Sequence, residues 1–175
     1  MKAVRSFLAA DNWLFLCINR HFRCTALDFS MSKMTHLGGA FFTICICALL
    51  IFSDFRTSRS AAVEALLALL LSQAVVQLLK KKIGRRRPYF VLSDISVRRP
   101  LFDCSFPSGH TTAGWTLAVI FSLNFPPLSM PLIFLAAVIG FSRTYLGFHY
   151  PLDVLSGALV GGGTAYAVYQ AAFFL

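Results

Sequence analysis

Two histidines stand in settings that suit work on a phosphate. His110 lies in Phe106-Pro107-Ser108-Gly109-His110-Thr111-Thr112, between a basic, Pro-containing segment and a long apolar run. Pro, Ser and Gly open helices and turns, and the apolar run reads as the helix they open. A helix N-terminus presents unpaired N–H groups and a partial positive charge, which suits an anion. His149 lies in Ser142-Arg143-Thr144-Tyr145-Leu146-Gly147-Phe148-His149-Tyr150-Pro151-Leu152-Asp153, with Pro151 suited to the first turn of another helix. Asp153 follows His149 at an interval of four. A carboxylate there accepts the ring N–H, fixes the tautomer and leaves the other nitrogen as nucleophile or base. Taken singly, each motif is more often a plain helix start than a site.

Their company changes the odds. Eight of the sixteen Lys and Arg fall between Lys80 and Arg99, opening with Lys80-Lys81-Lys82-Ile83-Gly84-Arg85-Arg86-Arg87-Pro88. Most of these read as interfacial anchors. A phosphoryl site nevertheless needs fixed cations, and Arg offers a planar fork where Lys offers a point charge. Cations plus two histidines describe phosphoryl transfer through a covalent phospho-His. One His attacks phosphorus; the other protonates the departing oxygen and then activates water. Only seven acidic residues are present, and they do not cluster as magnesium ligands would, so no metal or other cofactor is expected.

The elements that must position these groups belong to a membrane. The 175 residues are 57% hydrophobic and 13% charged, against roughly 45–50% and about 25% in soluble domains. Mean hydropathy is +0.70. The apolar residues come in blocks near the ~20 needed to cross a bilayer. The sequence predicts a single membrane-embedded domain over residues 1–175, an all-α polytopic bundle of about five spans. These run from about Met31 to Ser53, Ala61 to Leu79, Ser108 to Phe125, Ser129 to Tyr145, and Pro151 to the C-terminus. Residues 1–26 are mixed, with Asp11, Asn12, Asn19 and Arg20 interrupting the apolar positions. They predict an interfacial amphipathic helix with Trp13 at headgroup level. A sixth span built from this segment keeps the same grouping of sites. Gln73 and Gln77 are expected to hydrogen-bond between helices, and Gly157 and Gly161 to form a close-packing face. The five cysteines have no zinc-site spacing, and no disulfide framework is expected.

Five spans put the N-terminal segment, the Lys80–Phe106 loop and the Arg143–Asp153 junction on one side. Every candidate site residue then shares one membrane face. A basic cluster flanked by spans points to lipid headgroups or a phosphate ester rather than nucleic acid.

Lys80-x6-Arg87-Pro88, Pro107-Ser108-Gly109-His110 and Ser142-Arg143-x5-His149-x3-Asp153 together resemble the signature of the type 2 phosphatidic acid phosphatase (PAP2) family. Its relatives include glucose-6-phosphatase and vanadium haloperoxidases. All three parts match in residue type, spacing and order, over nearly half the chain. The resemblance implies His149 as nucleophile, Asp153 as its orienting partner and His110 as general acid and base. It implies Lys80, Arg87, Ser108, Gly109 and Arg143 as phosphate ligands. It also implies a helical bundle without a metal cofactor. The substrate would be a phosphorylated lipid of the phosphatidylglycerophosphate, undecaprenyl pyrophosphate, lipid A or phosphatidic acid type.

Two other readings compete: a lipid-to-lipid phosphotransferase, and a non-catalytic lipid-binding or transport protein. The resemblance implies a bacterial inner membrane, with the site on the periplasmic or extracellular face. Charge points the other way. Thirteen Lys and Arg fall on the site face and two in the opposite turns, which the positive-inside rule assigns to the cytoplasm.

Overall fold

The computed structural model describes residues 2–93, 95, 97 and 100–173. Among them all regular structure is helical. Helix α1 covers Lys2–Leu16 and runs into a π-helical turn, Cys17–His21; α2 covers Thr25–Met34 and α3 Ala40–Ile51. Then follow α4 (Arg56–Ile83), α5 (Gly109–Asn124), α6 (Ser129–Tyr145) and α7 (Pro151–Phe173).

α5 is the central helix, packed against α4, α6 and α7. On α4 a buried stripe of Ala61, Ala65, Ala68, Ser72, Val76 and Lys80 repeats at helical intervals. Its first half meets Ala113, Ile120 and Phe121 of α5 and Ala165 of α7 in the apolar core. The same face, carried on by three more turns, delivers Lys80 beside the start of α5. α7 approaches α5 backbone to backbone. A Cβ on Gly157 would lie 2.7 Å from the Ser108 carbonyl oxygen, and one on Gly161 would overlap the Thr112 carbonyl. Small residues are what such an approach requires.

α5, α6 and the start of α7 lie where the sequence predicts them. The span expected from Met31 to Ser53 does not form as one helix. α2 stops at Met34, a tight 3-10 turn covers Thr35–Gly38, and α3 leaves at 56° to α2. Gly39 has an extended backbone (ψ 152°), which ends the helical path. The turn is seated on α5: a Cβ on Gly38 would meet the His110 carbonyl oxygen at 2.6 Å. Thr35, His36 and the Gly38-Gly39 pair mark the break in the sequence, a signal that the expectation of one continuous span passed over.

The stretches Arg56–Phe90 and Pro126–Tyr145 are long and apolar enough to cross a bilayer, and the bent α2–α3 pair is a third if counted as one span. α5 has 16 residues, ~24 Å, and is rich in Gly and Thr. It is enclosed by other helices, so its composition answers to packing rather than to lipid. Phe41, Leu49, Phe52, Leu70, Leu78, Phe134 and Leu159 are exposed and clothe the outer faces of α3, α4, α6 and α7. An apolar surface of this extent suits a bilayer.

Polar groups within the helices find partners across them. Gln73 donates to the Gly109 carbonyl at 3.1 Å, and Asn124 to the Glu64 carboxylate at 3.0 Å. Gln77 departs from expectation: one turn beyond Gln73, it borders a cavity and has no hydrogen-bond partner among the described residues.

Candidate active site

The turn between α6 and α7 delivers His149. The Arg143 carbonyl accepts from both Phe148 N (3.0 Å) and His149 N (3.2 Å), folding the chain back on the end of α6. That fold needs Gly147 at φ 83°, a conformation a side chain would strain. The start of α5 is tied to the start of α7 by a bond from Ser108 N to the Asp153 carbonyl, 3.0 Å. Both histidine-bearing segments are thereby held to each other through backbone.

They meet at a cavity of about 450 Å³ between α3, α4 and α5. Its polar end is lined by Lys80, Arg87, Gly109, His110, Arg143 and His149. About three to four turns back along α4 from Lys80, the cavity is lined by Ile44 of α3 and by Leu66, Leu69 and Leu70. One space therefore offers cations and imidazoles to a headgroup and an apolar wall to a chain.

His149 is 2% exposed. Arg87 NH1 lies 3.1 Å from its Nε2 and donates to the neighbouring Phe148 carbonyl at 2.9 Å. A guanidinium only donates, so Nε2 faces it with a lone pair and the ring proton sits on Nδ1. Nδ1 faces Ser105 Oγ at 3.4 Å and Asp153 Oδ2 at 3.7 Å. The direct His–Asp contact predicted from spacing is thus an ion-pair distance, with the Ser105 hydroxyl close to both groups. Burial pulls the His149 pKa down to about 4; Asp153 opposes the shift, while Arg143 and Arg87 add to it.

Asp153 is fully buried and saturated with donors. Oδ1 accepts from Arg85 NH1 at 2.7 Å; Oδ2 accepts from Ser105 Oγ and from Tyr150 N at 3.0 Å. Arg85 lies over the Tyr150 ring, Cζ 3.8 Å from its centroid, and its NH2 donates to Asp11 Oδ2 at 2.6 Å. Asp11 Oδ1 in turn accepts from Leu152 N in the first turn of α7, 2.9 Å.

Arg143 is 3% exposed, lies 4.3 Å over the Phe148 ring and donates from NH1 to Thr35 Oγ1 at 2.7 Å. Its Nε–H is buried without a hydrogen-bond partner among the described residues. An unmet buried donor costs ~1–3 kcal/mol, which an anion in the cavity would relieve. Lys80 and Arg87 share a carboxylate that sequence reasoning missed. Asp103 Oδ2 accepts from Lys80 Nζ, and Oδ1 from Arg87 NH2 at 2.7 Å. Partial burial works against the Asp103 charge, but the Lys80 bond and the Arg87 charge outweigh it and hold the carboxyl below its ordinary range.

Six of the eight residues singled out from the sequence line the cavity. Asp153 stands behind His149. Ser108 does not face the cavity: its hydroxyl is buried and accepts from Thr111 Oγ1 at 2.9 Å, capping α5. A serine before a helix satisfies orphan N–H groups first, and here that duty takes the hydroxyl.

Ser105, Arg85, Asp11 and Thr35 were also missed. For Asp11 a signal existed. Asp11, Phe15 and Asn19 recur every four residues, and all three are buried. They form the inner stripe of α1 and of the π-helical turn that follows it: Phe15 packs on Tyr150 at 5.4 Å, and Asn19 donates to the Tyr145 carbonyl at 2.7 Å. Arg20 donates to the Ser93 carbonyl at 3.3 Å. The N-terminal segment, the basic loop and the α6–α7 junction therefore gather at one end of the bundle, as the count of spans predicts.

This arrangement has relatives. A lipid A 1-phosphatase of Rhizobium etli is 32% identical over 149 residues, 74% of this chain and 64% of its own length, just under two thirds. An undecaprenyl-diphosphatase of Sulfolobus acidocaldarius is 28% identical over 90% of this chain and 76% of its own. The crystal structure of Aquifex aeolicus LpxE superposes with a TM-score of 0.82 and 31% identity, covering 90% of this chain and 93% of that one. A transmembrane PAP2-type phosphatidylglycerolphosphate phosphatase from Bacillus subtilis gives 0.79 and 26%, covering 100% and 89%. The PAP2 superfamily profile matches residues 61–175, the stretch that carries both histidines and all three cavity cations, and the chain belongs to that superfamily.

Proposed function

We propose that this protein is a metal-independent membrane lipid phosphatase acting on a phosphomonoester or diphosphate through a phospho-His149 intermediate. The observation that carries the reading is the two-ended cavity, with two imidazoles and three cations at one end and an apolar wall at the other. His149 Nε2 attacks phosphorus as the bond to the lipid oxygen breaks, and His110 gives that oxygen its proton. Lys80, Arg87, Arg143 and the α5 N-terminus at Gly109 hold the equatorial oxygens as charge spreads over them. Water, losing its proton to His110, then cleaves the N–P bond and frees inorganic phosphate. A divalent cation would be repelled by three fixed cations, so EDTA is expected to leave turnover unchanged. Loss of activity in EDTA, restored by magnesium, would contradict this.

Five crossings follow if α2–α3, α4, α5, α6 and α7 each traverse the membrane. The proposed setting is the inner membrane, with the site on the periplasmic or extracellular face. The basic bias weighs against that face. A membrane-impermeant maleimide applied to intact cells decides it, reading Arg86→Cys in a background without the five native cysteines.

Phosphate release from a panel of lipid phosphates and diphosphates by the purified protein tests the function. His149→Ala and His110→Ala are expected to abolish release. Unchanged release in His149→Ala would remove the phospho-His149 intermediate, and no release by the wild type on any substrate would return the chain to a non-catalytic lipid-binding or transport role. Appearance of a phosphorylated acceptor lipid in place of free phosphate would identify a phosphotransferase.

A further inference from the structure

Asp103 is the only carboxylate among the described residues that lines the cavity. It approaches Lys80 and Arg87 from the cavity side, one oxygen on each. Arg87 also donates from Nε to the Asp103 carbonyl at 3.0 Å. Two oxygens set on a Lys point charge and one arm of an Arg fork are what a phosphate would present to the same pair. The partners differ in exposure. The Lys80 and Arg87 side chains are 11% and 2% exposed, whereas that of Asp103 is 51% exposed. The cations are fixed in protein; the carboxylate reaches them from the solvent side.

Resting on the phosphatase reading, we propose that Asp103 sets the affinity of the phosphate subsite. It is an internal anion that holds Lys80 and Arg87 until a substrate phosphate displaces it, and it reclaims them as inorganic phosphate leaves. The exchange keeps one anion on the buried cations throughout, which avoids leaving them uncompensated. Two anions cannot share the pair without strong repulsion, so phosphate and Asp103 compete. Displacement costs little, because the carboxylate swings into water while its backbone stays bound to Arg87 Nε. The competition raises the dissociation constant of every phosphate by the same factor. A lipid phosphate has the apolar end of the cavity, around Leu66 and Leu70, as a second hold. Free phosphate has none. A tailed phosphate therefore still binds, while the bare product is held weakly and leaves.

A purely structural counter-ion would act in the opposite sense, since its loss would loosen both cations and weaken phosphate binding. The test uses the purified full chain as wild type, Asp103→Asn, Asp103→Ala and Arg87→Ala. Competitive inhibition by inorganic phosphate is measured against a lipid phosphate substrate, and direct phosphate binding is read by calorimetry. Both Asp103 variants are expected to bind inorganic phosphate about tenfold more tightly, with the lipid KM falling by a similar factor when chemistry is slower than substrate dissociation. Phosphate affinity that is unchanged or weaker in both variants would overturn the proposal and leave the phosphatase reading intact. Phosphate binding equal in wild type and Arg87→Ala would instead remove the phosphate site itself, and the function with it.

Discussion

At His149 the two ring nitrogens face different chemistry. Nδ1 looks toward Ser105 and the buried Asp153 carboxylate, Nε2 toward Arg87 and the cavity. Asp153→Asn keeps the shape and removes the charge that favours an imidazolium. Turnover is expected to fall by about 10²–10⁴, with phosphate affinity nearly unchanged, because the cations that hold the anion remain. Normal turnover in that variant would take Asp153 out of the mechanism. Burial also fixes a pH dependence. With a folded pKa of about 4 against an ordinary 6.5, the ring stays neutral well below the usual His range. The acid limb of kcat/KM, corrected for the substrate's own ionisation, is expected below pH 6.5. The linked stability has the matching sign. Unfolded His149 binds its proton first, so this contribution is full above pH 6.5 and is lost as pH falls toward 4. An acid limb set by this ring at or above 6.5 would contradict its placement.

Among the elements, α1 does more than lie at an interface. Asp11 accepts from Leu152 N at the start of α7 and also holds Arg85, which holds Asp153. Asp11→Asn and Arg85→Ala should lower kcat about tenfold to a hundredfold with KM little changed, since under the proposed mechanism they misplace the partner of His149 and not the phosphate ligands. Arg85→Lys should restore part of the loss. A KM effect without a kcat effect would assign Arg85 to substrate binding instead. α7 offers a packing test: Gly161→Leu must push against the Thr112 carbonyl and is expected to destabilise the bundle by about 1–3 kcal/mol, seen as a lower Tm in detergent. The helices that begin beside the two histidines were legible because their starts are local: Ser108 and Pro151 announce themselves in sequence. The His110 and His149 motifs were legible by spacing for the same reason. Asp103, Ser105 and Thr35 were not. Each acquires its meaning only when a loop or turn folds over residues far along the chain, and nothing in its neighbours names that partner. The break at Thr35–Gly39 was legible in part, since Gly38-Gly39 is a helix-breaking pair, but its seat on α5 is a long-range contact that the run does not name.

At the scale of the whole molecule, the cavity joins two regimes that hydropathy treats separately. The basic end of the bundle, tied together by Asp11, Arg85 and Asp153, carries the two histidines and the three cavity cations; the gap between α3 and α4 leads from it to apolar surface. Ile44 and Leu70 line that gap and are 54% and 69% exposed, so a larger side chain at either position finds room without disturbing the core. If the lipid chain lies there, Ile44→Trp and Leu70→Trp obstruct the chain and not the headgroup. kcat/KM toward a long-chain lipid phosphate is then expected to fall at least about tenfold, the scale of losing a few buried methylenes. kcat/KM toward a short, water-soluble phosphate monoester should stay within about twofold. The ratio of the two, measured in one detergent with one enzyme preparation, separates blocked entry from a damaged site. Equal losses on both substrates would mean that the substitutions reach the polar end. No loss on either would mean that the lipid enters by another face.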